Sequence, residues 1–199
     1  MQRSATWGKS RTLVAGALSM IGHPALLTPL AVALGIVGAD APPKLLQAAL
    51  TTALLVAVIV GLYSLWQVRA GRWAHVDASR PRERSQLNLF LALLLFGAAG
   101  LLWALGQPPA VASGAGVMAL LVLAAHLLRR WLKVSLHAAF AVFAASLVWP
   151  SIVGVVLILA LAAGVAWSRL VLRRHTLPEV LLGLFLGAAF GAGFRLAIG

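Results

Sequence analysis

Four residues near the C-terminus combine chemically useful side chains with a spacing that can bring them together: Ser168, Arg169, His175 and Glu179. They stand beside long apolar segments in a chain that otherwise carries few charges. Ionisable groups at membrane depth are costly, so such a cluster predicts a functional site. Arg169 offers a planar fork of donors that suits phosphate oxygens, and His175 is a candidate nucleophile or base.

Glu179 has two interpretations. If a helix reaches back to residue 175, the four-residue spacing places Glu179 and His175 on one face. A carboxylate there fixes the imidazole tautomer and stabilises its positive form. The alternative is structural, because residues 176–179 match the S/T-x-x-E capping box, in which the glutamate satisfies backbone donors at a helix start.

A stripe of small residues continues from Glu179 at the same i+4 spacing. Small residues in this pattern allow helices in lipid to pack closely. We therefore expect the face that carries Glu179 to point into the bundle. The stripe consists of Gly183, Gly187 and Gly191.

Two other polar segments contribute candidates. Residues 133–137 supply Lys133, Ser135 and His137, and residues 75–84 form the most polar part of the chain. The alternative for residues 75–84 is a solvated basic loop at the lipid headgroups. The remaining histidines are not assigned to the site: His126 is interpreted as a packing or interfacial residue, His23 before Pro24 as a helix break, and His75 is left out.

Composition predicts an integral membrane protein. The 199 residues are 62% hydrophobic and 10% charged, and the mean hydropathy is +0.99. We expect residues 1–199 to form one domain, because the longest polar stretch, roughly 69–87, is too short for a separate soluble unit. The absence of cysteine excludes disulfides, thiolate catalysis and cysteine metal sites. No cleavable signal is predicted.

The chain reads as an all-α bundle of transmembrane helices with six to seven spans, since lipid offers no partner to an unpaired backbone. The first segment carries His23-Pro24 and is open to a turn followed by a shorter span. The fifth and sixth form a tight hairpin and are near the short end of the ~17–25 residues that a span needs. The seven apolar segments are roughly 12–38, 45–68, 86–105, 110–129, 136–149, 151–168 and 177–197.

Charge distribution predicts the orientation. Seven crossings place the N-terminus and the loops near 69–85, 130–136 and 169–176 on one side, and only Lys44 and Arg195 on the other. This bias predicts that the basic side is cytoplasmic, in what we expect to be a bacterial inner membrane. The basic side holds Arg3, Lys9, Arg11, Arg69, Arg72, Arg80, Arg82, Arg84, Arg129, Arg130, Lys133, Arg169, Arg173 and Arg174.

The net charge of +12 does not indicate nucleic-acid binding. No recognition motif or soluble basic face is visible, and topology and contact with lipid headgroups account for most of the charge. The expected partners are the bilayer and a phosphate-bearing lipid. No metal or cofactor is expected, because only Asp77, Glu83 and Glu179 are acidic on the basic side, too few for a carboxylate Mg²⁺ site.

These three polar segments resemble the type 2 phosphatidic acid phosphatase superfamily, lipid phosphatases related to vanadium haloperoxidases. The family pattern is K-x6-RP, then PSGH, then SR-x5-H-x3-D. The third motif is matched at Ser168, Arg169 and His175, with Glu179 in place of aspartate. The second keeps Ser135 and His137 but has lost its proline and glycine.

The first motif is looser. Arg80-Pro81 matches its end, but the lysine position holds Trp73, and Arg72 is one residue out of register. By resemblance to divergent bacterial members, Arg84 is the preferred phosphate ligand and Arg80 the second choice, with Arg82 also open. The resemblance covers roughly residues 70–195.

The resemblance implies a metal-independent hydrolase that cleaves a lipid phosphate or diphosphate monoester. His175 would attack phosphorus to form a phosphohistidine, His137 would protonate the leaving group, and Glu179 would orient His175. Arg84, Ser135, Arg169 and Lys133 would hold the phosphoryl oxygens. The alternative is a non-catalytic small transporter or scaffold that keeps the fold, which the degenerate second motif sustains.

Overall fold

A computed structural model of the chain describes residues 2–38, 42–78 and 80–198, with side chains from residue 10 onward. The side chains of Arg3 and Lys9, which the sequence assigns to the basic side, lie outside this part. The described residues form α-helices without strands, which confirms the predicted all-helical membrane bundle. The helices are α1 (Gln2–Ile21), α2 (Pro24–Gly38), α3 (Pro43–Arg69), α4 (Pro81–Ala104), α5 (Pro109–Leu128), α6 (Leu136–Leu147), α7 (Ile152–Val171) and α8 (Leu177–Ile198).

The first predicted segment is two helices rather than one. Residues 10–21 and α2 meet at a bend of 56°. Proline at the start of α2 lacks an N–H and fits the first turn of a new helix. The ring of His23 accepts a hydrogen bond from the backbone N–H of Ala25 through Nδ1, at 3.2 Å. His23 therefore does mark a helix break, as expected, and caps the helix that follows.

Fewer helices are long enough to span a membrane than the seven predicted crossings require. Among the described residues, α3, α4, α5, α7 and α8 are long and apolar enough, and the bent pair α1–α2 makes a sixth. Helix α6 has only 12 residues, about 18 Å at 1.5 Å per residue. The predicted segment 136–149 is thus too short to cross a hydrocarbon core of about 30 Å.

The glycine stripe on α8 packs against the backbone of α6, as its spacing predicts. A Cβ at Gly183 would lie 2.5 Å from the carbonyl oxygen of Ser135, and one at Gly187 would overlap the carbonyl oxygen of Ala139. The third glycine, Gly191, faces Ser146. The two helices therefore run parallel, with backbones closer than any larger residue permits.

The other contacts bring the three polar segments to one end of the bundle, hereafter the site end. Helix α2 runs parallel to α6, since His23 lies beside His137 and Gly35 beside Leu147. Helices α4 and α5 form an antiparallel hairpin, and α7 packs on α1 and α6. The loop before α4, the loop before α6 and the loop before α8 consequently meet.

Candidate active site

His175 is held by two acceptors on one nitrogen. Its Nδ1 lies 3.1 Å from the carbonyl oxygen of Lys133 and 3.0 Å from Oε2 of Glu179. A carbonyl oxygen and a carboxylate only accept, so Nδ1 must carry the proton and donate. In the neutral ring this places the free lone pair on Nε2. This geometry leaves Nε2 of His175 as the nitrogen with a free lone pair, which is the arrangement that a nucleophile needs.

Glu179 performs both roles that the sequence left open. The same Oε2 that contacts His175 accepts a hydrogen bond from the backbone N–H of Thr176, at 3.1 Å, which is the glutamate half of a capping box. The helix does not reach back to residue 175, which was the condition for placing both side chains on one helical face, because α8 begins at Leu177. Glu179, in the first turn, reaches back to the preceding loop instead.

The environment of His175 favours its neutral form. Burial lowers the pKa of His175 to about 4, and the nearby cations Lys133 and Arg169 act in the same direction. The hydrogen bond and charge of Glu179 oppose this shift only in part. At neutral pH the ring is uncharged, so its Nε2 lone pair is available.

His137 lines the same cavity as His175, at the start of α6. Its ring packs edge-on against the ring of His23, with 5.0 Å between centroids and an interplanar angle of 83°. Because Nδ1 of His23 accepts from Ala25, the proton of neutral His23 is on Nε2. His23 is thus a third histidine of the site, which the sequence interpretation as a helix break did not anticipate.

Four cations line the site end of the cavity: Arg84, Lys133, Arg169 and Arg174. One guanidinium N–H of Arg169 donates to the hydroxyl of Ser19 at 2.7 Å, while its buried Nε has no protein partner. Lys133 donates to the carbonyl oxygen of Arg174. Burial and the charge of Arg84 lower the pKa of Lys133. Asp77 is the one acidic side chain among the described residues that line the cavity. Four cations against one carboxylate make this end strongly electropositive.

Arg80 does not reach the cavity, whereas Arg84, the preferred choice, does. The side chain of Arg80 is 72% exposed and lies 3.8 Å from the carboxylate of Glu83. That carboxylate also accepts from the backbone N–H groups of Ala74 and Arg80, at 3.0 and 3.1 Å, and so fixes the loop before α4. Arg82 is exposed and lies outside the cavity lining as well.

Trp73, at the lysine position of the first motif, has a structural role. It is 3% exposed, packs edge-on against Tyr63, and donates from its indole to Gln86 at 3.0 Å. Arg72 lies over the ring of Trp66, at 4.7 Å from the centroid. Neither residue lines the cavity, so the cation that this segment contributes there is Arg84.

Two serines of the motifs are buried away from the cavity lining. Ser168 donates to the carbonyl oxygen of Val165 in its own helix, at 2.7 Å. Ser135 is fully buried, its hydroxyl has no protein partner, and it faces Gly183 of α8. Ser135 is therefore not among the residues that line the cavity with Arg84, Lys133 and Arg169. His126 is buried in α5 outside the cavity lining, as its packing interpretation requires.

Comparison with protein-family models, with curated proteins and with solved structures finds no match to this chain. The resemblance to the type 2 phosphatidic acid phosphatases therefore stays a prediction that rests on the motif residues alone. In the structure, Arg84, His137, Arg169 and His175 line one cavity, although they come from three segments of the chain.

Proposed function

We propose that this chain is a membrane-embedded phosphatase of the type 2 phosphatidic acid phosphatase kind, acting on a lipid phosphate or diphosphate monoester. One observation carries the proposal. Lys133 and Glu179 fix the proton of His175 on Nδ1, which leaves Nε2 free on a ring that lines a cation-rich cavity. A nucleophile, a second histidine and several fixed cations are the parts that phosphoryl transfer requires.

In the first step the Nε2 lone pair of His175 forms a bond to phosphorus, and the bond from phosphorus to the leaving oxygen breaks. His137 must enter this step as the imidazolium; it gives its proton to the leaving oxygen, which departs as the lipid alcohol, or as the lipid monophosphate when the substrate is a diphosphate. The phosphorylated ring of His175 keeps its proton on Nδ1 and is positively charged. Glu179 stabilises that charge.

In the second step water attacks phosphorus and the phosphorus–nitrogen bond breaks. His137, now neutral, takes the proton from the water, and inorganic phosphate is released. The electron pair of the broken bond returns to Nε2 of His175, which restores the starting tautomer. His137 thus acts first as an acid and then as a base.

The cations supply the electrostatic part of catalysis. Phosphoryl transfer spreads negative charge over three equatorial oxygens, and fixed cations in a site shielded from water stabilise that charge. Arg84, Arg169 and Lys133 are the proposed ligands, with Arg174 in addition. The Nε of Arg169 is buried without a protein partner and is therefore a donor that an oxygen could still satisfy.

We further propose that the site end faces the cytoplasm of a bacterial inner membrane. Among the described residues, four cations line the site end, whereas Arg195 lies at the other end of the cavity, and this distribution supports the orientation. In that orientation the enzyme serves lipid synthesis or turnover on the inner leaflet.

A second candidate function is non-catalytic lipid transport. The observation that favours it is the length of the cavity, which extends from the site end to Arg195. A transporter of this kind would bind or move a lipid phosphate without releasing phosphate, so one assay separates the two.

The deciding assay is phosphate release by the purified protein in detergent, with EDTA, from phosphatidic acid, phosphatidylglycerophosphate and polyprenyl diphosphate. We expect release from at least one lipid, loss of activity in His175→Ala, and a decrease on the order of 10²–10⁴-fold in His137→Ala. Arg82→Ala, which alters an exposed side chain outside the cavity, is the control and should retain activity. Full activity in His175→Ala rejects the mechanism.

A further inference from the structure

The cavity continues from the cationic end as an apolar chamber through the bundle. On α3 its wall extends from Leu65 to Leu45, a helical rise of about 30 Å. That length matches the hydrocarbon core of a bilayer, about 30 Å. The cavity has a volume of about 760 Å³, which is large for a site that binds phosphate alone.

Small residues on α3 create this space. The wall contains Ala49, Ala53, Ala57 and Gly61, at i+4 spacing on one face. On α8 the same kind of stripe brings two backbones into contact, but α3 packs mainly on α2 and touches α4 and α5 only sparsely. A Cβ at Gly61 would meet nothing within 4 Å.

The opposite wall comes from α2, α4 and α5. Val32 of α2, Leu91 and Leu95 of α4, and Gly114 and Met118 of α5 line it. The chamber is therefore apolar along its middle, with the cations of the site end above and Arg195 at the far end. Protein interiors are normally close-packed, whereas this chamber is only partly enclosed and leaves the inner face of α3 without most of the contacts that a packed bundle would supply.

We propose that the chamber binds one long hydrocarbon chain of the lipid whose phosphate lies at the cationic end. The hydrocarbon chain of the lipid then runs inside the bundle, along the small-residue face of α3, and not along the outer surface of the bundle. This inference rests on the proposed function for the identity of the cationic end. It adds that the substrate class is defined by a long chain that fills the chamber.

Charge and polarity fit this occupant. An anionic head is stabilised by Arg84, Lys133 and Arg169, and an apolar chain finds apolar walls directly below them. Binding energy from a remote, unreactive chain can hold the reacting phosphorus in place. Chain length should therefore affect the rate of hydrolysis and not only binding.

The first test uses a hexadecyl phosphonate with a diazirine at the chain end, whose carbon–phosphorus bond resists hydrolysis. Photolysis should attach it to deep chamber residues such as Leu95 and Met118, and excess hexadecyl phosphonate should prevent this. Ala53→Phe, which fills the chamber, should decrease the deep attachment at least about 10-fold. Leu54→Phe is the control, because Leu54 is 53% exposed on the outer face of α3.

The second test measures hydrolysis. Ala53→Phe should lower kcat/KM for hexadecyl phosphate at least about 10-fold and leave butyl phosphate unchanged. Gly61→Leu is a second blocking variant, since the space around Gly61 accepts a side chain without a clash, and it should show the same selectivity. The proposed binding site for the hydrocarbon chain is overturned if the probe attaches only to outer residues. It is also overturned if both blocking variants keep the deep attachment and the preference for hexadecyl over butyl phosphate.

The two arms separate this inference from the proposed function. Deep attachment without phosphate release from any lipid would support the binding site for the hydrocarbon chain and reject the proposed hydrolase activity. Phosphate release without deep attachment does the reverse.

Discussion

The imidazole of His175 is the residue on which the proposed chemistry depends. Two acceptors from different parts of the chain meet at its Nδ1, one a backbone oxygen of Lys133 and the other the carboxylate of Glu179. Together they select a single neutral tautomer. Burial, followed by the charges of Lys133 and Arg169, keeps the free ring uncharged. In the proposed mechanism these two cations would therefore both bind phosphate and help to activate the nucleophile.

The pKa of His175 provides a direct check of this environment. Its folded value of about 4 lies below the ordinary 6.5, so between these values the unfolded chain binds a proton that the folded protein does not. Acidification through this window should therefore decrease stability, while the ring stays neutral in the folded state. NMR titration of the histidine rings in detergent should show His175 still neutral at pH 5.5.

Glu179→Gln is the matched variant for this titration. It removes a charge and changes a hydrogen bond that both raise the pKa of His175, so the pKa should fall further. A titration near 6.5 in the wild type, or a rise in the variant, contradicts the described surroundings of His175.

Sequence spacing predicted part of this site for a physical reason. His175 and Glu179 are neighbours in the chain, so local geometry brings them together. The contact with Lys133 joins residues 42 positions apart through a backbone carbonyl, and a carbonyl has no sequence signature. His23 was missed for a related reason, since its helix-break role is real and hides its proximity to His137.

Helix α6 and its partner α8 position the histidines. The glycine face of α8 lets α6 approach until Ser135 N–H donates to the carbonyl oxygen of Glu179, at 3.2 Å. That bond ties the residue before α6 to the first turn of α8. The close helix packing therefore fixes the separation between His137 and His175.

Gly187→Ala tests this packing. A methyl group there would overlap the carbonyl oxygen of Ala139, and overpacking typically costs about 1–3 kcal/mol. We expect a lower thermal unfolding temperature together with lower activity. Gly193→Ala in the same helix is the control, because its Cβ would meet nothing within 4 Å, and its stability should be unchanged or slightly higher. Equal stability of the two variants contradicts the packing.

The lengths of elements were less predictable than their packing faces. The i+4 glycines of α8 revealed which face would be buried, because close approach demands small residues. Apolar composition did not reveal that α6 is too short to span, since a buried helix and a membrane span share the same residue types. The bend in the apolar run 12–38, in contrast, was expected from His23-Pro24, because proline marks a helix break.

For the whole molecule, the three polar segments lie at one end although the chain does not cross as seven full-length spans. The short α6 still leads away from the site end and α7 returns, so the segments before and after this pair stay together. The sequence predicted this shared end from alternating helices. It did not predict the chamber beside α3, because the i+4 small residues that line it on α3 form the same pattern that brings α8 into contact with α6.

Orientation in the membrane is tested by single cysteines in this cysteine-free chain. Arg130→Cys lies in the exposed loop before α6, at the site end, and Leu105→Cys lies in the exposed turn after α4, at the other end. An impermeant maleimide added to intact cells should label position 105 and spare position 130. Position 130 should become reactive once the cells are opened. The reverse pattern contradicts the cytoplasmic site.

The central claim is that Nε2 of His175 takes up the phosphoryl group, and trapping that intermediate tests it most directly. Purified protein is mixed with a ³²P-labelled lipid phosphate, quenched in alkali, which preserves a phosphorus–nitrogen bond, and digested for peptide mapping. We expect label on His175, attached to Nε2, and none in His175→Ala. Phosphate release without label in the wild type, or label at a different residue, would contradict the account.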